Sequence, residues 1–546
     1  MMLISMLIMS ISLIGLTMSM FMMFNNTFIY ISIPLINTQF INMPFSLILD
    51  WISCMFLSTV LMISSMIIMF SIYYITKKEH TKFLLMLLMF VLSMSILILS
   101  NNMFLMLLGW DMLGMSSYIL VIYYQDNSTS GCGSITLLSN RIGDIFILLS
   151  MSMMLFNSIW ELNMNETFPM IMLLMLMLAG CTKSAQFPFS AWLPMAMSAP
   201  TPISSLVHSS TLVTAGIFLM IRILNNPHPM ILLVLMIISS MTAMYASMSA
   251  NWQQDMKKII ALSTLSQMAM MMFAISIESV HLAYFHMIIH AFFKSLMFLC
   301  AGMMIHESSY QDMRMMSMSY LNIPMITITL GITNAALMGL PFTSGFFSKD
   351  MIIEKMISSK LECLLTLMMI SSIGMTASYS LRMLNLSNNM MIKAKPDMMN
   401  HSSMYSNIPI FMMTPMAIFL GSILLWTLNP EQMLFFPSNY KFIILSTLFL
   451  GMSLGILLSF KNKTYMKMGL SAISLWFIHL LSTKPMNLFS PLMNLFQKND
   501  KNWQESYGPY KSYMITSKPI MMPEKSKSLL LMTLLMISIL PMMLMY

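Results

Sequence analysis

Most of the sequence is a succession of apolar runs, each about as long as a bilayer is thick and separated by short polar or proline-containing joints. A helix of about 20 apolar residues, rising about 1.5 Å each, crosses the roughly 30 Å of hydrocarbon. Backbone groups in lipid must be satisfied within the spanning element, so helices are the natural reading of such runs. One series lies near 3–24, 51–76, 83–100, 103–124, 133–157, 170–190 and 203–224, with a weaker candidate span at 28–45. A second follows near 231–250, 257–277, 281–304, 324–356, 362–386, 409–428 and 443–460. With 58% hydrophobic and 8% charged residues, the chain cannot make a water-soluble surface. The predicted fold is an all-α polytopic membrane protein of about 14–16 transmembrane helices.

Within each series one segment is interrupted beside a lysine: Lys183 with Pro188 and Pro194, and Lys349 with Pro341 and Gly345. Paired interruptions of this kind predict two inverted five-helix repeats, each with a discontinuous helix holding an ion site near the midplane. The expected organisation is N-terminal helices over 1–82, a first repeat over 83–224, a second over 225–386 and additional helices over 387–482. From 483 to 527 the composition turns too polar to span. Lys498, Asp500, Lys501, Glu505 and Lys511 alternate there with apolar residues and Trp503, which suits a helix lying along the membrane surface. The apolar stretch over 528–546 is the expected final anchor.

Other classes are excluded by distribution. The formal charge of +8 comes from Lys and Arg residues scattered singly between apolar runs, so lipid headgroups and not nucleic acid are the expected partners. Cys54, Cys132, Cys181, Cys300 and Cys363 are far apart with no C-x-x-C, which indicates neither an iron-sulfur site nor a disulfide framework. No cofactor or metal is expected on this chain, and any electrons travel on another one. The first basic residue is Lys77, so no cleaved secretory or transit segment is expected. The 79 methionines exceed any packing need and read as the codon bias of a mitochondrial gene.

Charged groups inside the spans carry the functional signal, because each costs roughly 2.5–3.5 kcal/mol at the bilayer centre. Asp111 stands in the middle of LMLLGWDMLGMSSYILVIYY, either as a member of an ion path or as a carboxylate paired for structure. Lys183, beside the first break, is a candidate proton carrier whose charge a mobile carboxylate would control; capping of a broken helix end is the alternative. His208 lies among Ser204, Ser205, Ser209, Ser210 and Thr211, a stripe able to hold water, though a lone membrane histidine also serves as a helix-to-helix hydrogen bonder.

His286, His290 and Lys294 fall at i, i+4 and i+8, stacked along one helix face over about 12 Å. Neutral imidazole passes protons because one nitrogen donates while the other accepts. Two histidines four apart can also share a metal, but the next group on the face is a lysine and no H-E-x-x-H is present. Asp255 reads as a helix cap, and Lys257 as a residue that can turn inward. Arg141 and Asp144, three apart, are explained by a local salt bridge as well as by transport. Lys349 and Asp350 form an exit toward the other aqueous side, or Lys349 snorkels to the interface.

The blocks GWDMLGMSSYILVIYYQ, SNRIGDIF, KSAQFPFSAWLPMAMSAPTPISSLVHSSTLVTAG, DMKKIIALSTLSQ, HAFFKSLMFLCAGMMIH and GLPFTSGFFSKD, from about 105 to 355, resemble the subunit 5 family of mitochondrial NADH:ubiquinone oxidoreductase, respiratory complex I. That resemblance makes the two repeats antiporter-like. It implies proton translocation across the mitochondrial inner membrane by a multi-pass chain, driven by electron transfer from NADH to ubiquinone elsewhere. By the same likeness Asp111 is the acidic partner and Lys183 the central carrier. His208, Lys257, His286, His290 and Lys294 form the link, and Lys349 with Asp350 the outward end. FMN, iron-sulfur clusters and ubiquinone are expected in partner subunits. The expected partners are other complex I subunits, especially neighbouring antiporter-like ones, and 483–527 becomes a brace across them. Two departures stand out: many relatives have Glu where Asp111 stands, and MMSMS follows Asp312 and Arg314 where a glycine-containing turn is usual. A free-standing cation/proton antiporter would share the same core; the brace and the methionine bias favour the respiratory reading.

Overall fold

The computed structural model describes residues 1–37, 42–156, 161, 169–224, 228–316, 323–358, 363–388, 403–428, 438–460, 466–474, 484, 487–500 and 530–535. The chain divides into two units, Met1–Trp476 and Phe477–Tyr546. The first begins with α1 (Met2–Asn25) and α2 (Trp51–Tyr74), joined by a hairpin of β1 (Ile29–Asn37) and β2 (Asn42–Leu49). This hairpin replaces the weak span expected over 28–45. Ile29, Ile31 and Ile33 alternate with Tyr30, Ser32 and Pro34, a period of two that suits branched side chains on a pleat, and Pro34 and Pro44 oppose a helix. The pairing is antiparallel, Ile29 opposite Leu49 and Ile33 opposite Phe45. Ser46 accepts from the Asn101 backbone N–H at 3.1 Å, which lays the hairpin across the joint between the next two helices.

Those helices are α3 (His80–Leu99) and α4 (Met103–Val121), followed by α5 (Asn127–Phe156) and α6 (Met170–Lys183). After the first break come α7 (Trp192–Met195), α8 (Thr201–Ile203), a π-helical stretch (Ser204–Thr211) and α9 (Leu212–Ile223). Then follow α10 (Pro229–Trp252), α11 (Met256–Ser276) and α12 (Val280–Ser308). The expected span over 324–356 is two helices, α13 (Pro324–Met338) and α14 (Ser344–Ser358). The unit continues with α15 (Cys363–Ser387), α16 (Met404–Leu428), α17 (Ser438–Ser459) and the short α18 (Met466–Ile473).

Twelve helices among the described residues are long and apolar enough to cross a membrane, and Met170–Lys183 and Pro324–Met338 are shorter apolar helices. The two broken segments bring the crossings to fourteen among the described residues, the lower end of the expected range. They are the sixth and eleventh, so they traverse the bilayer in opposite senses, as an inverted repeat requires. Burial is uneven. The apolar windows of α11 and α12 are fully enclosed, whereas that of α1 is only 17% buried, so Lys257, His286, His290 and Lys294 sit on the innermost helices.

In the second unit the described residues form α19 (Ser490–Lys498), which exposes Leu492, Leu495 and Phe496, and a helical piece at 530–535. The expected surface segment over 483–527 lies outside the described residues from 501 onward, and the expected final anchor lies outside them except for 530–535.

Candidate functional site

The first break forms because α6 stops at Lys183, five residues before Pro188, and the chain turns through Ala185 at φ 54°. The Thr182 carbonyl, freed at this end, accepts from the Trp192 indole N–H at 3.0 Å. Lys183, 1% exposed, turns away from its own helix end. Its Nζ donates to the Trp110 carbonyl of α4 at 3.2 Å and lies 4.9 Å from the centre of the Trp110 ring. The packing that brings α6 to this point leaves no spare room: a Cβ on Gly216 of α9 would stand 2.5 Å from the Gly180 carbonyl oxygen.

The acid expected beside Lys183 is engaged elsewhere. Asp111 pairs with Arg141 at 3.7 Å, and Arg141 also reaches Asp144 at 3.3 Å, so the local salt bridge expected for SNRIGDIF is present. Among the described residues no carboxylate stands within 4 Å of Lys183. The side chains of Asp111 and Arg141 are 37% and 44% exposed, halfway along their helices. They are deep in the bilayer yet open at the flank of this chain.

Beyond Trp192 the route meets the π-helical stretch. Ser209 bonds the Ser205 carbonyl, Ser210 the Leu206 carbonyl at 3.1 Å and Thr211 the same carbonyl at 2.7 Å, so hydroxyls occupy backbone acceptors of the widened turn. His208 lies here with its ring 6.2 Å from that of Trp192, and neither of its nitrogens is hydrogen-bonded by the described residues. Lys257 does turn inward: it is 4% exposed and donates to the Ala199 carbonyl at 3.1 Å, holding the far end of the break to α11. Asp255 makes no side-chain capping bond and instead pairs with Lys258 at 2.7 Å. The short Lys258 pair across one turn outcompetes the cap.

The second cluster is sealed. His286, His290 and Lys294 of α12 have no exposed surface. The His286 and His290 rings are 6.2 Å apart, and Lys294 donates to the Ser263 hydroxyl of α11. His286 reaches the second break directly, its Nδ1 2.8 Å from the Ser348 hydroxyl of α14. Lys349, next in sequence, is 1% exposed and donates to the Leu337 carbonyl at the end of α13. It therefore does not snorkel to an interface; it occupies the acceptor that the helix end leaves open. Asp350, beside it, is half-buried. Gly345 allows α14 to start against α13, since a Cβ there would collide with the Ala336 carbonyl.

Three family models match in succession along the chain. They are described as NADH-Ubiquinone oxidoreductase (complex I), chain 5 N-terminus, over 35–84; NADH:quinone oxidoreductase/Mrp antiporter, transmembrane, over 100–376; and NADH dehydrogenase subunit 5 C-terminus, over 379–546. Similar curated proteins include NADH-ubiquinone oxidoreductase chain 5 of Aedes aegypti, 39% identical over 502 residues, covering 88% of this chain and 86% of that one. Chain 5 of Locusta migratoria is 39% identical over 500 residues, with 87% and 86% covered. The chain belongs to the NADH-ubiquinone oxidoreductase chain 5 family.

A solved structure of an Mrp complex from Dietzia sp. DQ12-45-1b shares the fold of this chain-5 family member, with a TM-score of 0.67 at 20% identity. The likeness covers 97% of this chain and 59% of that one. The middle family model spans both broken segments and every residue singled out above, from Asp111 to Asp350.

The structure adds residues that the sequence did not single out. Trp110 holds Lys183, its carbonyl accepting from Nζ and its ring centred 4.9 Å from it. Ser263 and Gln267, four apart on α11, hold Lys294 and His286, and Ser348 holds His286 from α14. The spacing of Ser263 and Gln267 places them on one helix face, a signal present in IIALSTLSQ, but only the fold shows that this face meets α12.

Proposed function

We propose that a series of side chains from Asp111 to Asp350 carries protons across the membrane, with Asp111, Lys183, His208, Lys257, His286, His290, Lys294, Lys349 and Asp350 as its ionisable members. The chain is a membrane-arm subunit of the NADH:quinone oxidoreductase complex in the mitochondrial inner membrane, and it translocates protons there. The observation that carries the detailed reading is the pair of opposed helix breaks, each with a buried lysine on a backbone carbonyl, joined by fully enclosed histidine and lysine side chains. Charges retained so deep are far more costly than the leucine that could replace them.

Two finer points belong to the same reading. Electron carriers, FMN and iron-sulfur clusters together with ubiquinone, reside in partner subunits, because the five cysteines of this chain are scattered singly. The half-exposed Asp111 and Arg141, charged groups midway along spans, fit cover by a neighbouring antiporter-like subunit better than contact with lipid.

Lys183→Met tests the path. The assembled complex is expected to form normally on native gels and to release fewer protons per NADH oxidised. Full proton release from an assembled Lys183→Met complex would remove Lys183 from the route.

A further inference from the structure

His286 is held by two side chains from different elements. Ser348 Oγ of α14 lies 2.8 Å from Nδ1, and Gln267 Oε1 of α11 lies 3.2 Å from Nε2. All three residues are without exposed surface. A neutral imidazole donates from one nitrogen and accepts at the other, and an amide oxygen only accepts. The arrangement therefore puts the ring proton on Nε2 and leaves Nδ1 to accept from the Ser348 hydroxyl.

The other end of the amide is the informative part. Gln267 Nε2 has no hydrogen bond from the described residues. As seen, Oε1 is on His286 and the amide N–H lacks an acceptor among them. Turned over, the amide N–H donates to His286 Nε2, which then requires the ring proton on Nδ1.

From this geometry we infer that Gln267 is a positioning residue whose amide orientation sets the tautomer of His286, and with it the side from which the ring takes a proton. In the orientation seen, the open lone pair is on Nδ1. The Ser348 hydroxyl proton moves to Nδ1 while the Ser348 oxygen takes up a proton from the next donor on the route, giving imidazolium and a deprotonated donor. The reverse transfer restores both groups. In the turned orientation Nε2 accepts from the amide and the ring proton is on Nδ1, so exchange with Ser348 at Nδ1 runs outward only. An amide is neither acid nor base here, so Gln267 passes no proton itself.

The inference rests on the relay proposed above, and the experiment separates the two. Gln267→Met removes both polar ends. Gln267→Glu keeps the shape and the acceptor but holds His286 as an imidazolium facing a carboxylate. Both assembled complexes are expected to turn over about tenfold more slowly in coupled membranes, the rate equivalent of one buried hydrogen bond, and to release fewer protons per NADH. A purely structural hydrogen bonder would be replaced adequately by Glu, so native proton release in Gln267→Glu overturns the inference, as does native proton release in Gln267→Met. Either variant decides alone if the other does not assemble. Lys294→Met is the control arm. If it pumps normally, the relay itself fails; if it stops pumping while the Gln267 variants pump normally, only the role of Gln267 fails.

Discussion

The two helix breaks solve the same problem with different surroundings. At the first, Lys183 and Asp144 are enclosed, but Asp111 and Arg141 open onto the flank of the chain. At the second, Lys349, Ser348 and His286 are sealed on every side. Each lysine takes a backbone carbonyl in place of a carboxylate, Trp110 in one case and Leu337 in the other. The difference shows that a buried lysine needs only an acceptor to be held, whereas control of its charge needs a carboxylate that can approach and withdraw. Both breaks have carboxylates at hand, Asp111 and Asp144 near the first and the adjoining, half-buried Asp350 at the second, but Asp111 with Arg141 opens onto the flank of the chain.

That comparison is most exposed to a test of which acid matters. Asp144, only 11% exposed in its side chain against 37% for Asp111, is expected to be worth more than Asp111. In assembled membranes, Asp144→Asn should lower proton release per NADH, because it removes a buried negative charge near Lys183. Asp111→Asn should lower it less, and Asp111→Glu least. Equal losses from the two Asn variants would restore Asp111 as the direct partner of Lys183.

A smaller effect sharpens the packing side. Gly345→Ala forces a methyl into the Ala336 carbonyl at the second break, and Gly216→Ala forces one against the Gly180 carbonyl at the first. Neither backbone acceptor can rotate away, so each substitution should cost roughly 1–3 kcal/mol. The yield of assembled complex on native gels and its melting temperature should fall for both, further for Gly345→Ala. A native yield from Gly345→Ala would mean that the second break is looser than the first.

The smallest effect lies outside both breaks. Asp312, in the turn after α12, bonds Arg314 at 2.6 Å, and this turn is tied to the start of α11 through Met256 N–H on the Gln311 carbonyl at 3.0 Å. Burial alone would raise the Asp312 carboxyl, but the Arg314 hydrogen bonds and charge outweigh it and hold the group below its usual range. A depressed carboxyl contributes stability above its unfolded value of about 3.9 and loses it as pH falls through the lower folded value. Asp312→Asn should therefore lower the melting temperature slightly at pH 7, and the difference from the native complex should close below about pH 4. Proton release per NADH should be unchanged; a loss would draw this turn into the transport route.

Much was readable before any fold was known. The spans followed from run lengths, since lipid leaves an unsatisfied backbone no alternative partner, and the two breaks followed from Pro188, Pro194, Pro341 and Gly345 beside a lysine. The stack of His286, His290 and Lys294 followed from helical spacing alone. The hairpin at 29–49 was missed because its apolar content outweighed its alternation. The pairing of Asp111 with Arg141 was missed because spacing relates residues on one helix and says nothing about which helix stands opposite.

The sequence by itself marked Lys183, His286, His290 and Lys294 for burial, because a charge in an apolar run is cheapest in the interior of a bundle. It also determined where the helices would break. Only the tertiary structure decided the partners: the carbonyls of Trp110 and Leu337 for the lysines, Gln267 and Ser348 for His286, and the open flank for Asp111. Those choices are made between helices far apart in sequence. A hydrogen bond acts over about 3 Å, and no local pattern fixes which distant atoms come that close.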